Sequence, residues 1–141
     1  MIEQVGALPY RMAGAETLIL LVTSRQTGRW VVPKGNLMIG KMAHEAAAIE
    51  AEEEAGVRGR ISPLPIGAFA YAKILPDGSS VAAEVTLFPL EVAEELARWK
   101  EIDQRRRQWF TASEAAVAVA EVELGELIHR FGEGHGPRPA D

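Results

Sequence analysis

Four glutamates fall within five consecutive positions of the stretch EAEEEAG, Glu50 to Gly56. On a helix, Glu50, Glu53 and Glu54 stand at i, i+3 and i+4 and share one face, where like charges destabilise by roughly 0.2 to 0.5 kcal/mol per pair. Gly56 reads as the residue that ends the helix, so these acids lie at the negative end of its dipole, where a cation is expected. No Lys or Arg occurs between Lys41 and Arg58, so the bases that usually intersperse a solvated acidic face are missing. Carboxylates clustered this way suit a hard divalent ion, Mg²⁺ or Mn²⁺, which takes oxygen ligands and commonly sits opposite a phosphate. Upstream, WVVPKGN runs a short apolar strand into Pro-Lys-Gly. There Lys34 can offer an ammonium to a phosphate beside Gly35, which lacks a side chain and permits close approach. A solvated helix face and a protein-contact surface are the other readings of the acidic turn.

The chain that must position these residues has 141 residues, 48% apolar and 25% charged, which fits one domain with its own core. A net charge of −5 argues against general nucleic-acid binding, so a field that favours an anionic ligand has to be built locally. The absence of Cys excludes a disulfide framework, a thiolate metal site and a thiol nucleophile. His44, His129 and His135 have no second His at ligand spacing, so oxygen is the expected ligand for any metal. The longest aliphatic run, Leu18 to Val22, is far short of the about 20 residues of a spanning helix. The stretch MIEQVGALPYRM lacks the basic and long apolar segments of a secretory signal. The expectation is therefore a cytoplasmic protein with no membrane partner.

Strands are expected at Gln4 to Arg11, Thr17 to Thr23, Trp30 to Val32, Gly67 to Ile74, Val81 to Val92 and Arg107 to Phe110, from β-branched and aromatic content between turn residues. Asp77-Gly78 predicts a hairpin joining two of them. Helices are expected over Met42 to Ala55, Ser113 to Val119 and Glu123 to Arg130, the second capped by Thr111 or Ser113. In the first helix Ala43, Ala47, Ala51 and Ala55, with Ala48 beside them, form a narrow face of small side chains that allows close approach to a sheet. The run Gly132 to Asp141 is rich in Gly and Pro and is expected to be a flexible tail behind a single domain of residues 1–131. Trp99 and Trp109 are expected to pack rather than to stack on a base.

From Gly35 to Val57 the chain resembles the box of the Nudix hydrolase family, matching it at Gly35, Glu50, Ala51, Glu53, Glu54, Gly56 and Val57. Lys41 stands where the box has Glu, and Ile49 where it has Arg. The segments RWVVPKGN, VTLFPLEV and RRRQWFTASEAA look like the diphosphoinositol polyphosphate phosphohydrolase branch, with Gln108 where that branch often has Glu. The resemblance covers Val5 to Phe131 and implies a mixed α/β (α+β) fold, an α/β/α sandwich with the sheet between helices. It further implies a metal-dependent hydrolase that cleaves a pyrophosphate bond in a nucleotide-linked or phosphate-rich small molecule. In that reading Glu50, Glu53 and Glu54 are the catalytic residues and, with Gly35 at the metal site, hold Mg²⁺ or Mn²⁺. Lys34, Arg105 and Arg107 meet the substrate's phosphates. The ammonium of Lys41 in place of an acid is expected to weaken metal binding, while Lys41 and Ile49 together remove an acid and a base and so read as a compensated pair that leaves no single partner unpaired. The alternative is a Nudix-fold protein that binds phosphate ligands without turning them over.

Overall fold

The computed structural model describes residues 1–134. Two long strands, β1 (Ile2–Ala13) and β2 (Glu16–Thr23), form a hairpin that pairs Tyr10 with Ile19; its turn passes through Gly14 at φ 63°, a left-handed value that glycine adopts without strain. β3 (Trp30–Val31) pairs with β2, and β4 (Lys34–Asn36) pairs back onto β1. After α1 (Ala43–Ala55), β5 (Val57–Ile61) and β6 (Gly67–Ile74) both pair antiparallel with β7 (Ser80–Glu95). β8 (Arg107–Thr111) pairs with β2, and α2 (Ala112–Ala118) and α3 (Val122–Gly134) close the described chain. β1 and β7 run parallel, from Ile2 opposite Ala83 to Tyr10 opposite Glu91, so the sheet is mixed.

Side chains alternate across this sheet with period two and separate two apolar layers. Val5, Ala7, Leu20, Val22, Phe88 and Leu90 face α1, whose Ala46, Ala47, Ala51 and Ala55 are fully buried against them. Leu8, Ile19, Leu21, Val85 and Leu87 face α2 and α3, which contribute Leu124, Leu127, Ile128 and Phe131. Helices thus cover both faces, as the resemblance implies. Ala46 takes the place expected for Ala48, which is only half-buried. The hairpin at Asp77-Gly78 forms as expected, with Gly78 at φ 87°, and Thr111 is the N-cap of α2.

Three expectations need correction. β4 and β5 are additional strands: each is short and contains a glycine, so neither shows an alternating apolar pattern. α3 continues through Gly134, because Phe131 is buried against the sheet and keeps the last turn docked. Residues 132–134 therefore belong to a helix rather than to a tail, and the rest of the expected tail, with His135, lies outside the described residues. Among the described residues no helix is long and apolar enough to cross a membrane.

Candidate active site

A cavity of about 630 Å³ opens at the edge of the sheet where β4 leaves β1, and the C-terminal half of α1 forms one wall. Glu50, Glu53 and Glu54 all line it, so the structure brings these three expected residues to one place. They differ in surroundings. Glu54 is 6% exposed, accepts the backbone N–H of Lys34 at 3.3 Å, and has Arg105 Nη2 at 3.8 Å. Burial pushes its carboxyl up to about 8; the charge of Arg105 pulls the other way, and the charge and hydrogen bond of Glu50 add to the rise. Glu50 is also raised, chiefly by burial, while its bond to Glu54 opposes the rise. Burial therefore opposes full ionisation of this pair of carboxyls. Glu53 is more open and has Lys100 Nζ at 3.6 Å.

Gly35 faces this wall. A Cβ there would run into the Glu50 carboxylate, so the glycine is what admits that side chain. Arg105 enters from the β7–β8 connection, 10% exposed, with its Nε 2.8 Å from Glu101 and Nη1 donating to the Thr23 carbonyl at 3.1 Å. Opposite, Lys34 lies over the ring of Tyr71, with Nζ 4.8 Å from the centroid. The Tyr71 hydroxyl donates to Gln4, whose amide donates to Asn36 Oδ1 at 3.1 Å. Burial lowers the Lys34 ammonium, and the charges of Glu54 and Glu121 oppose that shift. Burial also pushes Tyr71 up to about 12. Arg25, Arg29, Lys73 and Glu121 complete a rim of mixed charge, Arg29 Nη1 standing 3.5 Å from Glu121.

Arg107 requires a correction. It was expected to meet phosphate, but it does not line the cavity. Its Nη1 donates to the carbonyls of Ala55 at 3.0 Å and Gly56 at 3.1 Å, its Nη2 to that of Leu96 at 2.9 Å, and its guanidinium lies 4.0 Å over Trp99. It therefore serves as the cation at the C-terminus of α1, whose own last turn has no base. The acids expected to lack partners are met from outside the helix: Glu52 by Arg58 at 2.6 Å, Glu53 by Lys100 and Glu54 by Arg105. Ile49 lies in a separate hollow of about 370 Å³ with Ala48, Glu52, Glu53 and Leu90, whereas Lys41 and Gln108 are exposed and line neither space. Trp99 and Trp109 pack as expected, the latter beneath Arg11 at 4.4 Å with its N–H donating to Glu95 at 3.1 Å.

Sequence reasoning missed Gln4, Tyr71, Glu101, Glu121, Arg25 and Arg29. Gln4, Tyr71 and Glu121 reach the cavity from segments distant along the chain. Arg25 and Arg29 lie shortly before Lys34, and Glu101 shortly before Arg105, without a spacing that marks them as cavity residues. For a divalent ion the donor chemistry fits, since Glu50, Glu53 and Glu54 offer hard oxygen and Gly35 leaves room for Glu50. Among the described residues no three acidic or imidazole side chains are already drawn together around an ion position. An ion would compete with Lys100, with Arg105 and with the proton that burial favours on Glu54.

The NUDIX domain matches residues 2–131. The chain is 35% identical over 130 residues to Nudix hydrolase 13, mitochondrial, of Arabidopsis thaliana, covering 78% of this chain and 63% of that protein. It is 29% identical to mouse diphosphoinositol polyphosphate phosphohydrolase 3-alpha, covering 80% of this chain and 66% of that one. The chain thus spans less than two thirds of the length of these curated relatives. A crystallised Ap4A hydrolase binary complex from C. elegans shares the fold at a TM-score of 0.69 and 20% identity, over 95% of this chain and 97% of that chain.

Proposed function

Because the chain belongs to the NUDIX domain family, we propose that it is a divalent-metal-dependent hydrolase that splits a pyrophosphate linkage in a phosphate-rich or nucleotide-linked small molecule. The observation that carries this reading is the joining, in one cavity, of the α1 carboxylates Glu50, Glu53 and Glu54 with the cations Lys34 and Arg105. Acids of that kind hold Mg²⁺ or Mn²⁺, which supplies charge neutralisation of phosphate oxygens and a lowered pKa for bound water. Lys34 and Arg105 meet phosphate oxygens from the other walls, and Arg105 is held for that task by Glu101 and the Thr23 carbonyl. Gly35 keeps the Glu50 carboxylate close to the backbone of β4. In the reaction, water oxygen bonds to one phosphorus as the bridging P–O bond breaks, the leaving phosphate departs with the bond's electron pair, and the proton that the water loses passes to solvent. Ile49 leaves the outer hollow without the guanidinium found in the family's box, which lowers activity by loosening Glu53 beside it.

The test is a phosphate-release screen over inositol pyrophosphates, dinucleoside polyphosphates and nucleotide sugars with Mg²⁺ or Mn²⁺, repeated with chelator. Release that chelator and Glu53→Gln both abolish supports the reading. Binding of such ligands without release from any of them replaces it with a non-catalytic phosphate-binding role.

A further inference from the structure

Lys34 is half-buried in the cavity, yet among the described residues its ammonium forms no ion pair with a carboxylate and no hydrogen bond; its partner is the face of Tyr71, 4.8 Å away. Glu54 and Glu121 act on its charge in one sense and Arg105 and Arg29 in the other, while the ammonium itself rests on the aromatic face, which does not neutralise it. The ring is itself fixed. Its hydroxyl donates to Gln4, which is 4% exposed and donates in turn to Asn36, on the same short strand as Lys34. Strands β6, β1 and β4 are thereby tied to one lysine by a closed chain of contacts. A cation resting on a π face keeps its full charge and its N–H donors for an incoming anion, whereas one paired with carboxylate would have to be released first.

We propose that Tyr71 is a positioning residue that parks Lys34 over its ring and so keeps the ammonium free for the substrate's phosphate. The proposal rests on the assignment of Lys34 as a phosphate contact, and Tyr71 itself need not touch the substrate. Replacing the ring frees the ammonium to close onto Glu121, whose Oε1 is buried without a hydrogen-bond partner among the described residues, which removes it as a donor to an anion. Tyr71→Phe keeps the ring and loses only the tether to Gln4, so it should retain most of the effect.

The experiment reads contact and affinity separately from turnover. Lysines are converted to ¹³C-dimethyl-lysines by reductive methylation, and the Lys34 resonance is assigned from its loss in Lys34→Arg. The ring predicts an upfield-shifted Lys34 signal in the parent and in Tyr71→Phe, and a signal at the position of the solvent-exposed lysines in Tyr71→Leu. Affinity for imidodiphosphate, a non-hydrolysable probe, should fall roughly tenfold in Tyr71→Leu while changing little in Tyr71→Phe. An unshifted Lys34 signal in the parent overturns the proposal even if Tyr71→Leu does not fold, and so does equal affinity in Tyr71→Leu and the parent. If the parent releases phosphate from no diphosphate, the hydrolase reading fails while the resonance and the affinity still decide the role of Tyr71.

Discussion

Glu54, with its carboxyl pushed up to about 8 by burial, holds a proton in the folded chain where an unfolded chain would have lost it. Between the ordinary carboxyl range and about 8, the native state binds more protons than the unfolded state, so stability falls as pH rises through that window. Urea unfolding followed from about pH 5 to about pH 8 should show this decline, and Glu54→Gln should flatten it. A divalent ion must displace the same proton, so titration calorimetry with Mg²⁺ or Mn²⁺ near neutral pH should give heats that vary with the ionisation enthalpy of the buffer. Gly35→Ala separates site geometry from stability. The added methyl would occupy the space of the Glu50 carboxylate, which can swing aside into the open cavity. The expected result is loss of metal affinity and turnover by about tenfold or more with a nearly unchanged melting temperature.

The end of α1 depends on a residue more than fifty positions away. Arg107 gives its guanidinium to the carbonyls of Ala55, Gly56 and Leu96. Arg107→Ala should therefore destabilise the chain by about 2 to 4 kcal/mol, because several half-buried acceptors lose a charged donor. KM in that variant should stay within about twofold of the parent, since the side chain is outside the cavity; a large rise in KM with unchanged stability would restore it to the phosphate site. Gly56, at φ 65° and with Trp99 where a Cβ would go, should cost roughly 2 kcal/mol or more on change to Ala, read from urea unfolding. The alanine face, the glycine stop and the spacing of the glutamates were legible because they are properties of one helix. β4 and β5 were not, because Lys34–Asn36 is held by its pairing to β1, and β5 carries a register shift between Arg58 and Gly59. Arg107 was misread for the same reason: adjacency to Arg105 along the chain says nothing about which carbonyls fold up against it. The Tyr71 and Gln4 pair and the Glu101 clamp on Arg105 likewise exist only once distant strands meet.

For the molecule as a whole, a net charge of −5 coexists with a cavity lined by Arg25, Arg29, Lys34, Lys73 and Arg105 as well as by its acids. An ion that binds only the folded chain raises stability by mass action, about 2.7 kcal/mol at a hundredfold excess over Kd, or roughly 5 to 10 °C in Tm for a chain of this length. Differential scanning fluorimetry with Mg²⁺ or Mn²⁺ should show that rise, and Glu53→Gln together with Glu54→Gln should abolish it. The parallel pairing of β1 with β7 has a consequence of another kind. Ile2 waits for Ala83, and Tyr10 for Glu91, so the first strand completes its pairing only after more than half of the chain has been synthesised. The hairpin of β1 with β2 closes early, but at about 5 to 20 residues per second the opposite edge of β1 stays bare for several seconds on a translating ribosome. That edge presents a row of unmatched backbone donors and acceptors beside the apolar Val5, Ala7 and Leu8. Fragments that end before Ser80 are therefore expected to self-associate through it, and the protein's vulnerability to aggregation belongs to its synthesis more than to its finished fold.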